Sequence, residues 1–180
     1  MADELGLLIP KKEVVALKPF ERKGGTEHYI FVKGHRIYKL TKPSGWGLMG
    51  NPGNYLKSIA TFAKIAPQLD TRVEGVFMND GIPTVLTSYK YIAGEHPKAD
   101  ELRDYLQSKG WRPKYPGDLK SHYYVHTSGV EMIDAHSQNF IKTGDGKIYP
   151  VDVHFRDASA EVLLRAGKRE QLFAGAPEKD

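Results

Sequence analysis

Asp134, Asn139 and Asp152 have the residue types and spacing that suit chemistry on phosphate groups. A carboxylate at Asp134 can take a proton from a hydroxyl, and four residues separate it from the amide of Asn139. Beyond Asn139, Phe140-Ile-Lys and Lys147-Ile-Tyr-Pro-Val read as two short strands around a Gly144-Asp-Gly146 turn. Such a hairpin returns Asp152 to the side of Asn139. A base, an amide oxygen and a second carboxylate are then gathered at one place. The last two are hard oxygen donors of the kind that holds Mg²⁺, an ion that takes few protein ligands and fills its shell with phosphate and water. Phosphoryl transfer is the reaction such a set can perform. Asp and Asn also favour turns and helix caps, so the rest of the chain must decide between the two roles.

The elements that would position these groups can be read along the 180 residues. That length allows one domain with a real core or two small lobes. Charged residues make up 27% and aromatic residues 11%, values of a folded chain rather than a disordered one. The absence of cysteine excludes disulfides, thiolate zinc sites and a cysteine nucleophile. No apolar run approaches a membrane span, and Met1 to Leu17 is interrupted by charges, so neither a secretory signal nor a membrane anchor is expected and a cytoplasmic location fits. The net charge of +4 permits anionic ligands such as nucleotides. It lacks the dense Lys/Arg stripe of a dedicated nucleic-acid binder, so nucleic acid is permitted but not indicated.

Residues 1 to 20 read as a leader with a strand at Glu13-Val-Val-Ala-Leu. Tyr29-Ile-Phe-Val and Arg36-Ile-Tyr-Lys-Leu are strands around a Lys33-Gly-His turn, and Lys42 to Gly53 is a Gly- and Pro-rich loop. Tyr55 to Ala66 places Tyr55, Ile59, Phe62 and Ala63 on one helical face. Val73-Glu-Gly-Val-Phe and Pro83 to Tyr89 form a second strand pair, turned at Asn79-Asp-Gly81. Lys98 to Lys109 is helical, Trp111 to Lys120 a loop, and Ser121 to His126 a strand. A last helix is expected over Glu161 to Phe173 before frayed Gly175 to Asp180. The predicted organisation is α+β: a β-rich lobe of residues 1–92 with one helix, and a helix-bearing lobe of residues 93–180 carrying the Asp134 loop and its hairpin.

Within that frame, Lys39 sits at a strand end with the reach to neutralise nucleotide phosphates. Gly24 and Gly25 can supply a backbone loop over the same phosphates. The segment Asp134-Ala-His136-Ser-Gln-Asn139 resembles the catalytic loop of aminoglycoside phosphotransferases and related small-molecule kinases. More of the chain, roughly residues 20 to 157, resembles the kinase-like domain of phage and mobile-element polyvalent proteins. The matching segments are Gly25-Thr-Glu-His28, Arg36 to Pro43, Asn54-Tyr-Leu56, Ser88 to Glu95, and Asp134 to Asp152.

The resemblance implies a compact two-lobed protein-kinase-like fold with an antiparallel N-lobe and a reduced helical C-lobe. It implies ATP and Mg²⁺ as cofactors and an origin in a phage or mobile element. Residue by residue, it assigns Lys39 to the phosphates, Asp134 to general base, and Asn139 and Asp152 to metal. Ser88, Tyr89 and Tyr91 fall in the hinge that would meet the adenine edge, and His136 would assist Asp134. The Tyr55 to Ala66 helix has no glutamate to pair with Lys39, leaving Glu27 and Glu74 as candidates. Met132-Ile133 stand where protein kinases have His-Arg, and Asp152-Val-His154 keeps only the aspartate of Asp-Phe-Gly.

Three functions are compatible with this reading. The first is ATP-dependent transfer of the γ-phosphoryl group to a hydroxyl acceptor that the sequence does not identify. The second is a nucleotide-binding pseudokinase serving as an interaction module. The third is a metal-dependent phosphoesterase using the twin pairs Asp134-Ala-His136 and Asp152-Val-His154. His122 and His126 have the spacing of a helical zinc pair but stand in a strand-like Tyr-Tyr-Val context, without the glutamate such a motif needs.

Overall fold

Alternating β-branched and aromatic residues on either side of two-residue turns build the first part of the molecule. The computed structural model describes residues 7–23, 25–43, 46–115 and 122–159. Within them the chain is α+β with antiparallel sheets, and it divides into two compact units between Ile92 and Ala93.

The first unit is a five-stranded antiparallel sheet of β1 (Glu21–Arg22), β2 (His28–Lys33), β3 (Arg36–Thr41), β4 (Arg72–Asn79) and β5 (Ile82–Lys90), in the order β1-β2-β3-β5-β4. The β4–β5 turn, Asp80-Gly81, has φ of 49° and 81°, the paired left-handed conformation that matches the twist of a two-residue hairpin. One face of the sheet packs Phe31, Leu40 and Leu86 against Val14 and Leu17. The other packs Val85 against Met49 and Tyr55.

The two covers form for different local reasons. Helix α1 (Lys11–Val15) replaces the strand expected over Glu13 to Leu17. Pro10 starts it with a fixed φ, and Val14 and Leu17, three residues apart, fall on one side and seal the sheet. Helix α2 (Pro52–Ile65) starts three residues earlier than its apolar pattern predicts. The Asn51 side chain accepts a 2.9 Å bond from the Asn54 N–H, and Pro52 occupies the first turn, where its missing N–H costs nothing. Tyr55, Ser58 and Phe62 are its buried side. A hydrogen bond of 3.1 Å between Tyr55 and His28 Nε2 fixes the helix to β2.

In the second unit, helix α3 (Ala99–Ser108) buries Leu102 and Leu106, and the Glu101 carboxylate accepts from the Lys98 N–H at 2.9 Å. A four-stranded sheet follows: β6 (Trp111–Pro113), β7 (Tyr124–His126), β8 (Val130–Ile133) and β11 (His154–Asp157), in the order β11-β8-β7-β6. The hairpin of β9 (Phe140–Lys142) and β10 (Ile148–Pro150) stands as a separate two-stranded sheet.

This unit is richer in strands than the sequence pattern implies. Trp111 to Pro113, expected in a loop, is a strand because the buried Trp111 ring packs 6.0 Å from Phe155 and 5.2 Å from His126. Strands β8 and β11 had no sequence signal, since buried Glu131 interrupts the apolar run of β8 and Arg156 and Asp157 occupy half of β11. Among the described residues α3 is this unit's single α-helix, the one expected over Lys98 to Lys109. The predicted helix over Glu161 to Phe173 lies outside the described residues. No helix among the described residues is long and apolar enough to cross a membrane.

Candidate functional site

Strand β8 delivers the Asp134 loop. Its last residue, Ile133, is buried and pairs with His154 of β11, so the chain leaves a fixed point. Asp134 then adopts φ 60°, left-handed backbone that aspartate visits more readily than most non-glycine residues and that local hydrogen bonds can hold. Two contacts do so. The Asn139 Nδ2 group donates to the Asp134 carbonyl at 2.8 Å and to its carboxylate Oδ2 at 2.9 Å. The other carboxylate oxygen, Oδ1, lies 3.4 Å from His136 Nε2. The Ala135 N–H donates to the His122 carbonyl at 2.8 Å, which ties the loop to the segment leading into β7.

Asn139 is the centre of this arrangement. It ends a single 3-10 turn, Ser137–Asn139, and is buried. With its amide nitrogen given to Asp134, the Oδ1 is the side-chain atom that can only accept. Its backbone carbonyl accepts from the Val151 N–H at 2.8 Å and the Asp152 N–H at 3.4 Å. The β9–β10 hairpin, in register Phe140 with Pro150, therefore returns Asp152 directly beside Asn139. Asp134 is thus bonded to the Asn139 side chain, and the backbones of Asn139 and Asp152 meet at the end of the hairpin. The Asn139 and Asp152 oxygens are the hard donors that fit Mg²⁺.

In the first unit, Lys39 lies within β3 rather than at its end, paired with Ile30 and Thr87. It is 7% exposed, an unusual burial for a lysine. Tyr38 and Leu40 on either side join the core on the α1 face, so alternation turns Lys39 to the α2 face, where its Nζ lies 5.4 Å from the Tyr89 ring. The Gly25 carbonyl, in the hairpin loop between β1 and β2, accepts from Lys42 Nζ at 2.9 Å. Gly24 lies outside the described residues. Of the two acidic candidates for Lys39, Glu74 accepts from the Ser88 hydroxyl, and Glu27 accepts from the Leu48 N–H at 3.3 Å.

The hinge candidates separate. Ser88 is fully buried between β3 and β4, and its Oγ also accepts from Arg36 Nε and Nη2 at 3.0 and 2.7 Å. Arg36 further holds Asp70 at 3.0 Å, so Ser88 belongs to a network that binds the sheet together. That network uses the Ser88 side chain, whereas the hinge expectation concerns the backbone groups of the segment. Tyr89 is buried against Phe62, with ring centres 6.4 Å apart. Tyr91 has an exposed side chain, and its N–H donates to the His35 carbonyl at 2.8 Å. Gly94, within the same segment, is required by packing: a Cβ there would lie 2.3 Å from the Lys142 carbonyl oxygen of β9.

Among the described residues, no three His, Asp or Glu side chains converge as a metal-binding group. His122 does approach the loop, its ring centre 5.0 Å from that of His136. Sequence reading missed a second charged cluster around Glu131, whose signal was a glutamate inside an apolar strand. The sequence matches no protein-family model and no curated protein.

Proposed function

We propose that the chain is a kinase-like phosphotransferase that moves the γ-phosphoryl group of ATP to a hydroxyl. The observation that carries this reading is the pair of hydrogen bonds from Asn139 to Asp134, which holds a carboxylate in left-handed backbone near Asp152 in the chain's return. Strained backbone clamped by a neighbour is characteristic of sites where a group must be aimed. Support from the first unit is the buried Lys39 on the third strand, ahead of a helix and a strand pair, the order in which protein kinases carry their phosphate-binding lysine. A two-lobed kinase-like fold is part of the same proposal.

Asp134 would accept the acceptor's proton as its oxygen forms the new bond to the γ-phosphorus, and the bond to the β-phosphate oxygen breaks to release ADP. Lys39 would offset charge on the α- and β-phosphates. Asn139 and Asp152 would hold Mg²⁺, which when bound neutralises charge on the transferring phosphates. The work of the chain is positioning and electrostatics.

The test is γ-phosphate-labelled ATP with Mg²⁺, following label transfer and ADP release in wild type, Asp134→Ala and Asp152→Ala. Loss of a general base costs about 10²- to 10⁴-fold. Both variants should fall at least that far. Turnover unchanged in both would overturn the assignment. Nucleotide binding by calorimetry with no turnover in the wild type would instead support the pseudokinase module.

A further inference from the structure

Three residues before Asp134, within β8, Glu131 is a buried carboxylate with only 2% of its side chain exposed. Lys114 Nζ donates to its Oε1 at 2.7 Å, and Arg156 Nε donates to its Oε2 at 2.9 Å. One carboxylate needs one cation. Two leave a surplus positive charge, and it faces outward, since the Arg156 side chain is 45% exposed. Arg156 spends only Nε on Glu131, and its Nη groups meet no other carboxylate among the described residues. A guanidinium used this way keeps a planar donor pair for a phosphate or carboxylate.

The walls of the cluster are aromatic. Lys114 Nζ lies 5.6 Å from the Tyr115 ring centre and 5.9 Å from that of Tyr123. The two rings meet edge to face at 6.0 Å, and Tyr115 is half exposed. Flat ring faces beside two pinned cations suit an anionic group carried on a ring. Because charged hydrogen bonds already fix both cations, little ordering entropy remains to be lost on binding.

We propose that Lys114, Arg156, Tyr115 and Tyr123 form a subsite for a small organic anion, a phosphate or carboxylate on a ring. Resting on the phosphotransfer reading, the subsite anchors the acceptor. Glu131, which both cations hold, lies three residues from Asp134, about 10 Å along the backbone by strand rise. Cationic amino sugars would be repelled there.

Phenyl phosphate and benzoate, titrated separately by NMR without ATP or metal, test the site and tell a phosphate from a carboxylate. At least one should bind saturably, and phenethylamine should not. Arg156→Gln and Tyr115→Ala should each weaken binding about tenfold, with Arg156→Lys intermediate. Tyr115 is half exposed and makes no hydrogen bond to Glu131 among the described residues, so its variant guards against a loss caused by unfolding. Saturating ATP should leave the probe bound. Displacement by ATP, unchanged affinity in both Arg156→Gln and Tyr115→Ala, or no saturable binding of either probe would overturn the proposal. Because no nucleotide is needed, an inactive phosphotransfer site would not by itself remove probe binding.

Discussion

Replacing Asn139 with alanine tests whether this residue is the clamp that holds Asp134. The substitution removes two hydrogen bonds from Nδ2, at 2.8 Å to the Asp134 carbonyl and 2.9 Å to its carboxylate, and leaves the backbone bonds to Val151 and Asp152 in place. A neutral bond contributes about 1 kcal/mol and a bond to a charged group about 2 kcal/mol. Water recovers part of the second, because the Asp134 side chain is 38% exposed. The released backbone also regains part of the roughly 1 kcal/mol that left-handed φ costs a non-glycine residue. The expected loss is therefore about 2 kcal/mol. Thermal unfolding followed by circular dichroism should show a midpoint lowered by roughly 4–8 °C for a chain of this size. A double-mutant cycle with Asp134→Ala should show coupling of about 1 kcal/mol or more, since the side-chain bond then disappears in either single variant. A loss under about 0.5 kcal/mol, or strict additivity, would refute the clamp.

Glu131→Gln should destabilise the fold by about 3 kcal/mol, because Lys114 and Arg156 lose a buried counter-charge. Burial pushes the Glu131 carboxyl up, but hydrogen bonds from Arg156 and Lys114 outweigh it and hold it below the ordinary value of 4.5. A depressed carboxyl adds stability that is present above pH 4.5 and is lost as pH falls toward the lower folded value. Urea midpoints across that acid range should therefore fall more steeply in wild type than in Glu131→Gln, and parallel slopes would refute the linkage. Gly94→Ala should cost about 2 kcal/mol or more through the 2.3 Å approach to the Lys142 carbonyl, read as a lower thermal midpoint. A midpoint equal to wild type would show that the Gly94 segment can shift away from β9.

Much of the first unit was legible because its local signals agree. The β2–β3 and β4–β5 hairpins follow from β-rich runs on either side of Gly34 and Asp80-Gly81, and α2 follows from its apolar face. The α1 segment was misread because five residues of Glu-Val-Val-Ala-Leu suit strand or helix, and packing against the sheet decides between them. The second unit was less legible: β6, β8 and β11 are short strands with buried charge or one anchoring aromatic, and neighbouring strands supply the reason they pair.

The sequence by itself determined the chemistry available at Asp134, Asn139 and Asp152, and the hairpin that brings the last two side by side. Residue type sets what an atom can donate or accept, and a short turn closes locally. Tertiary structure alone decided that Ser88 is spent on Arg36 and Glu74, that Lys39 is buried within its strand, and that Glu131 gathers two cations. Those outcomes depend on partners 14 to 52 residues away along the chain, and such pairings exist only once the strands have found their neighbours.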